Sequence, residues 1–179
     1  MGVLSRRRNK KKDWLAETVR YWEIRQTEVG LGVDWAEAHE RCWRCGYEAQ
    51  LQRCHIVPVS LGGTDDVNNI VALCTRCHDE APNVNDATEM WCWLRKTAVP
   101  IYDTYWPRRA LNEVLKELNL SDEELARIDV KKFRLLVKEI SMNEVGLHCG
   151  QCCGGVHVTL SSYAWAIRKA FLKALEIAA

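Results

Sequence analysis

The sequence predicts an α+β fold, with a small metal-bound strand–loop–strand–helix module embedded in a mostly α-helical chain. Three observations lead there. Two Cys-x-x-Cys pairs, Cys42/Cys45 and Cys74/Cys77, frame a stretch that contains two short strand-like runs. On both sides of that stretch apolar residues recur at helical spacing behind capping residues. The chain has 179 residues, 47% of them apolar and 27% charged, enough for one ordinary domain or a small module plus a helical remainder.

In chain order, residues 1–12 read as a flexible basic arm. It carries Arg6, Arg7, Arg8, Lys10, Lys11 and Lys12. Within residues 1–20 seven basic side chains face only Asp13 and Glu17, a local net of +5 in a chain of formal net charge +1. Residues 13–41 are expected to hold two helices. The first spans 13–29, capped by Asp13 and ended at Gly30 and Gly32; the second is short, over 34–41, with Asp34 and Glu37 in capping-box spacing. Residues 42–98 form the module and the helix after it. "CWRCG" is a tight cysteine turn, "LQRCHIV" a strand ended by Pro58, "SLGGTDDVNN" a loop, "IVAL" a strand, and "CTRCHDE" a helix stopped by Pro82. The following helix covers 86–98, with Asp86 and Glu89 at its start.

Residues 99–179 read as a helical C-terminal region. Helices are expected over 107–118, with Pro107 in the first turn, over 121–128 behind a Ser121/Glu124 capping box, over 130–140, and over 161–178. "HCGQCCGG", between the last two, reads as a loop. Packing on the module, DNA binding and homodimer formation are three roles open to this region.

No apolar run reaches the roughly 18 residues that span a bilayer, so no membrane partner is expected. The basic N-terminus lacks the apolar core of a secretory signal, and a cytoplasmic location is expected. In that setting nine cysteines point to metal binding or to reduced thiols rather than disulfides. Eight tryptophans are expected mainly as packing residues, since each buries a large area.

The four cysteines of the two pairs can close a tetrahedral site around Zn²⁺ with no open position, so the zinc would be structural. It would staple two distant segments of a stretch too short for its own core. The insert between the pairs holds His55 on a strand, Asn68 and Asn69 before the second strand, and His78 directly after the last cysteine.

"CHIVPVSLGGTDDVNNIVALCTRCH", flanked by "CWRCG", resembles the HNH endonuclease motif in its zinc-binding form, a ββα-metal nuclease module. The resemblance covers about residues 42–80. It implies cleavage of DNA phosphodiester bonds with a divalent cation. His55 would be the general base, Asn69 the residue that orients it, and His78 the ligand of a catalytic Mg²⁺, Mn²⁺ or other divalent ion. Asn69 is preferred over Asn68 because it directly precedes the strand.

Cys54 departs from the family pattern, which often has an acidic residue or histidine there. Three alternatives stand: a metal held mainly by His78 and water, a softer ion bound also by Cys54, or a small buried residue at 54. The arm residues 6–12 and Arg53 are candidates for phosphate contact, as are Arg44 and Arg76. The alternative function is a catalytically inactive, zinc-stabilised nucleic-acid-binding module. A second cysteine cluster, Cys149, Cys152 and Cys153 with His148 and His157, has the beginnings of a further metal site but not four clear ligands.

Overall fold

A computed structural model of the chain describes residues 14–25, 30–98, 101–150 and 155–178. The basic arm, with Arg6, Arg7, Arg8, Lys10, Lys11 and Lys12, lies outside the described residues, as do Cys152 and Cys153. The fold is α+β, and its described residues fall into two compact units, the first ending at Asp103 and the second starting at Thr104.

The first unit opens with helix α1 over residues 14–23. It ends in a turn closed by Arg25 N–H donating to the Trp22 carbonyl, earlier than the expected end at 29; residues 26–29 are outside the description. Residues 34–41 form successive turns rather than the expected helix. Their backbone bonds run mostly three residues back, as from Glu37 N–H to the Asp34 carbonyl and from Glu40 N–H to the Glu37 carbonyl, the pattern of tight turns rather than of an α-helix. The Asp34 carboxylate accepts from Ala36 N–H, and the Ala38 carbonyl is taken by the Trp43 indole N–H at 2.8 Å.

Strand β1, Leu51–His55, pairs antiparallel with strand β2, Ile70–Cys74. The register sets Leu51 opposite Cys74, Cys54 opposite Val71 and His55 opposite Ile70. Every residue of β2 is buried, as a run of apolar residues covered on both faces should be. Between the strands run two short 3-10 turns, Val59–Leu61 and Val67–Asn69. Helix α2, Thr75–Asp79, follows β2 without a break. Helix α3, Ala87–Thr97, starts at Asp86, whose carboxylate accepts from Thr88 N–H.

The core of this unit is aromatic. Trp22 donates its indole N–H to the Ile70 carbonyl at 2.8 Å and meets Trp91 of α3 edge to face, with centroids 4.8 Å apart. Trp43 is 1% exposed and stacks edge on against Trp35. Its backbone N–H donates to the Ala72 carbonyl. These tryptophans pack, as expected, rather than offer faces to bases.

The second unit holds α4 (Tyr105–Leu118), α5 (Asp122–Ala126), α6 (Val130–Glu144), β3 (His148–Gly150), β4 (Gly155–His157) and α7 (Leu160–Ala178). The expected loop at 148–155 is therefore partly a hairpin, with His148 opposite His157 and Gly150 opposite Gly155. Glycine and cysteine carry no alternating pattern, so nothing marked these strands beforehand. Ala110 and Val114 of α4 pack with Ile167 and Phe171 of α7, and Ile140 of α6 packs with Ala166 and Ala170 of α7. Lys169 pairs with Glu144, and Arg168 with Glu117, across these helices.

Candidate active site and metal centre

The turn carrying Cys42 and Cys45 is built by backbone bonds. Gly46 N–H donates to the Cys42 carbonyl, and Cys42 N–H to the Tyr47 carbonyl. Cys74 ends β2, and Cys77 sits in the first turn of α2. The sulfurs of Cys42, Cys45, Cys74 and Cys77 all lie within 4.8 Å of one another, and all four residues are buried. No disulfide joins any of them.

A Zn–S bond of about 2.3 Å implies tetrahedral S···S edges of about 3.8 Å. The Cys45–Cys74 separation is 3.9 Å. The cluster therefore has the size, ligand chemistry and seclusion of a structural zinc site. Its electrostatics point the same way. Hydrogen bonds from Cys42, Cys45 and Cys77 pull the Cys74 thiol far below its ordinary value, whereas hydrogen bonds within the cluster push Cys45 and Cys77 far above theirs. A bound dication would let all four be thiolates.

Arg44, inside the first turn, is 5% exposed. It donates to Glu80 at 2.6 Å and to Thr97 at 3.1 Å, and lies over the Trp93 ring. It ties the cysteine turn to α3, and a buried guanidinium in that position does not meet phosphate.

His55 ends β1 with 28% of its side chain exposed. Its Nε2 lies 2.8 Å from the Asp65 carboxylate. Arg53, two residues earlier on the same face of the strand, donates to the Asp65 backbone carbonyl at 3.0 Å and to the same carboxylate oxygen at 3.3 Å. The hydrogen bond from His55, then the Arg53 charge, hold the Asp65 carboxyl below its ordinary range. Asp65 is the residue that sequence reasoning missed. It stands in an acidic pair within a loop, and loops carry no periodicity to single out one member.

Asn69 has other partners than the expected imidazole. Its side-chain oxygen accepts from Val57 N–H, and its amide donates to the carbonyls of Val57 and Thr64 at 2.8 Å each. Its backbone N–H donates to the Asp66 carbonyl. Asn69 thus clamps both ends of the loop after β1. Gly63 is required there, because a Cβ would lie 1.8 Å from the Val57 carbonyl oxygen. Asn68, by contrast, is exposed.

Cys54 is 4% exposed, on the opposite face of β1 from His55. Burial pushes its thiol up to about 12. His78 lies half-buried on α2. Among the described residues the four-cysteine cluster is the group of potential ligands drawn together, and His78 is not gathered with His55 into a second one.

The strand pair, the short helix after it and the four clustered cysteines form one module, with His55 on the first strand and His78 on the helix. Residues 40–83 match the family model of the HNH endonuclease, which agrees with the resemblance read in the sequence and lies wholly inside the first unit. No curated protein and no solved structure matches the chain. The HNH segment implies a nucleic-acid substrate. No helix among the described residues is long and apolar enough to cross a membrane.

Proposed function

We propose that this chain is a metal-dependent endonuclease that hydrolyses DNA phosphodiester bonds. The observation that carries the reading is the coincidence of the matched segment 40–83 with a hairpin held by four clustered cysteines and bearing His55. Zinc on Cys42, Cys45, Cys74 and Cys77 would fix the hairpin and α2. His55 acts as general base and takes the proton of the attacking water; a neutral imidazole suits that task near pH 7. His78 would hold a divalent cation, Mg²⁺ or Mn²⁺ or a softer ion, which would supply charge stabilisation for the leaving 3′ oxygen. Products carry a 5′ phosphate and a 3′ hydroxyl.

Asn69 acts through the loop it clamps. Cys54 is a packing residue: the burial of its thiol and its opposite side of the strand leave it no path to a metal shared with His55. The basic arm at 6–12 supplies sequence-independent phosphate contacts. Arg53 serves the Asp65 loop first.

A second reading, a zinc-stabilised nucleic-acid-binding module without catalysis, is favoured by one observation. The position before His55 holds a buried thiol in place of an exposed acidic ligand. Incubation of supercoiled plasmid with Mg²⁺, Mn²⁺, Ni²⁺ or EDTA separates the two. The nuclease gives metal-dependent nicked or linear product that disappears in His55→Ala. The binding module gives salt-sensitive retention of DNA and no product with any ion.

A further inference from the structure

We propose that Asp65 is a positioning residue for His55: it holds the imidazole as the Nε2–H tautomer and leaves Nδ1 as the nitrogen that takes the proton. The catalytic half of this inference rests on the nuclease reading above. The tautomer half stands on geometry alone.

An ionised carboxylate accepts hydrogen bonds and donates none. The ring nitrogen facing it at 2.8 Å therefore carries the hydrogen, and that nitrogen is Nε2. In neutral imidazole the other nitrogen then holds the lone pair. Among the described residues His55 Nδ1 forms no hydrogen bond, so no protein donor competes for its lone pair, and the side chain is 28% exposed.

The loop is built to keep Asp65 in place. Its two neighbours in sequence are both anchored on Asn69, Thr64 through its carbonyl to the Asn69 amide and Asp66 through its carbonyl to the Asn69 backbone N–H. Arg53 grips Asp65 by main chain and side chain together. Arg53 and His55 share a face of β1, so both donors converge on one carboxylate oxygen. The Asp65 side chain is 74% exposed. Exposed pairs add little to stability. An arrangement this constrained, at the surface and on the candidate base, serves orientation better than it serves folding. It also gives Asn69 a purpose without a direct contact to the imidazole.

The test uses the zinc-loaded full chain labelled with ¹⁵N-histidine. Ring-nitrogen shifts report the tautomer, and the His55→Ala spectrum assigns the signal. The wild type is expected to show His55 protonated at Nε2 and bare at Nδ1. Asp65→Ala is expected to give a tautomer mixture, with zinc content unchanged. Asp66→Ala removes a neighbouring charge and is expected to leave the tautomer as it is. On plasmid, Asp65→Ala is expected to lower kcat by about ten- to hundredfold with little change in KM, the range for a partner that orients a working group from behind. Asp65→Glu is expected to recover part of that loss. A wild-type His55 protonated at Nδ1, or an Asp65→Ala chain with unchanged tautomer and kcat, overturns the proposal. Absence of cleavage with any ion would sink the nuclease reading instead, cleavage that survives in His55→Ala would remove His55 as its base, and in either case the tautomer measurement would still decide for or against Asp65.

Discussion

At position 54 a thiol stands next to the candidate base, yet its surroundings make it inert. It is buried opposite Val71, and its thiolate forms only near pH 12. Cys92 is exposed on α3. Iodoacetamide at pH 7.5 to 8 (the usual alkylation range, about the ordinary thiol pKa) should therefore modify Cys92 and spare Cys54, as read by peptide mass mapping. Equal labelling of both would refute the buried placement. The same raised pKa sets a sign for stability. Burial of the neutral thiol stabilises fully below the unfolded thiol value of about 8.5, and that contribution fades as pH rises toward 12. Gly63→Ala makes a second residue-scale prediction. Its Cβ would collide with backbone rather than with a flexible side chain, so the Val57 carbonyl must move and the Asn69 clamp must open. We expect a loss of about 2 kcal/mol or more in a denaturant titration, as for other substitutions that force backbone strain. Asn69 and His55 were visible in the sequence because the family pattern names them. Asp65 was hidden because its value lies in what folds against it.

Elements with chemical signals at their ends were the legible ones. Ser121 and Glu124 form the full reciprocal capping box that their spacing announced, and Asp86 caps α3 through Thr88 rather than through the third residue. The β1–β2 hairpin was readable because apolar content stops at a proline and resumes after the glycines. Residues 34–41 misled, since their helical composition and cap signal end in turns whose backbone bonds reach mostly three residues back. The β3–β4 hairpin was unreadable, because its pairing rests on glycine and cysteine backbone without a side-chain pattern. The cysteine knuckles make the element-scale prediction. Cys45→Ser removes one of four ligands and leaves three buried sulfurs around an incomplete site. Zinc measured per chain should fall by about one, and the thermal transition of the metal-bound module should be lost or moved strongly downward. Unchanged zinc content in Cys45→Ser would show that the cluster is not the binding site.

For the whole molecule the division at Asp103/Thr104 predicts unequal responses to metal removal. The cysteine cluster lies in the first unit, where it joins the hairpin to the turn before it, whereas the second unit has an apolar core on α4, α6 and α7 and no such cluster among its described residues. A strong chelator should abolish amide protection across residues 51–79 while leaving that of the second unit largely intact, as measured by hydrogen exchange. Simultaneous loss in both units would show that they fold as one. Acid should act as the chelator does. Metal-bound thiolates stabilise fully above the unfolded thiol pKa of about 8.5, and their contribution is lost as pH falls and protons displace the metal.

One pair of hydrogen bonds described for the first unit reaches beyond its site. The Ile70 and Ala72 carbonyls point away from β1, and they are taken by the Trp22 indole and the Trp43 backbone N–H. A two-stranded sheet otherwise leaves such a row open as a template for another chain. Here the row is sealed by a side chain from α1 and by the very turn that bears Cys42 and Cys45. When the metal leaves, the turn is freed, half the seal goes with it, and a fully apolar strand acquires an unguarded edge. An ion on the four cysteines would thereby do more than order the hairpin: it would hold the turn against the strand edge, and its removal is expected to favour association of separate copies through that edge.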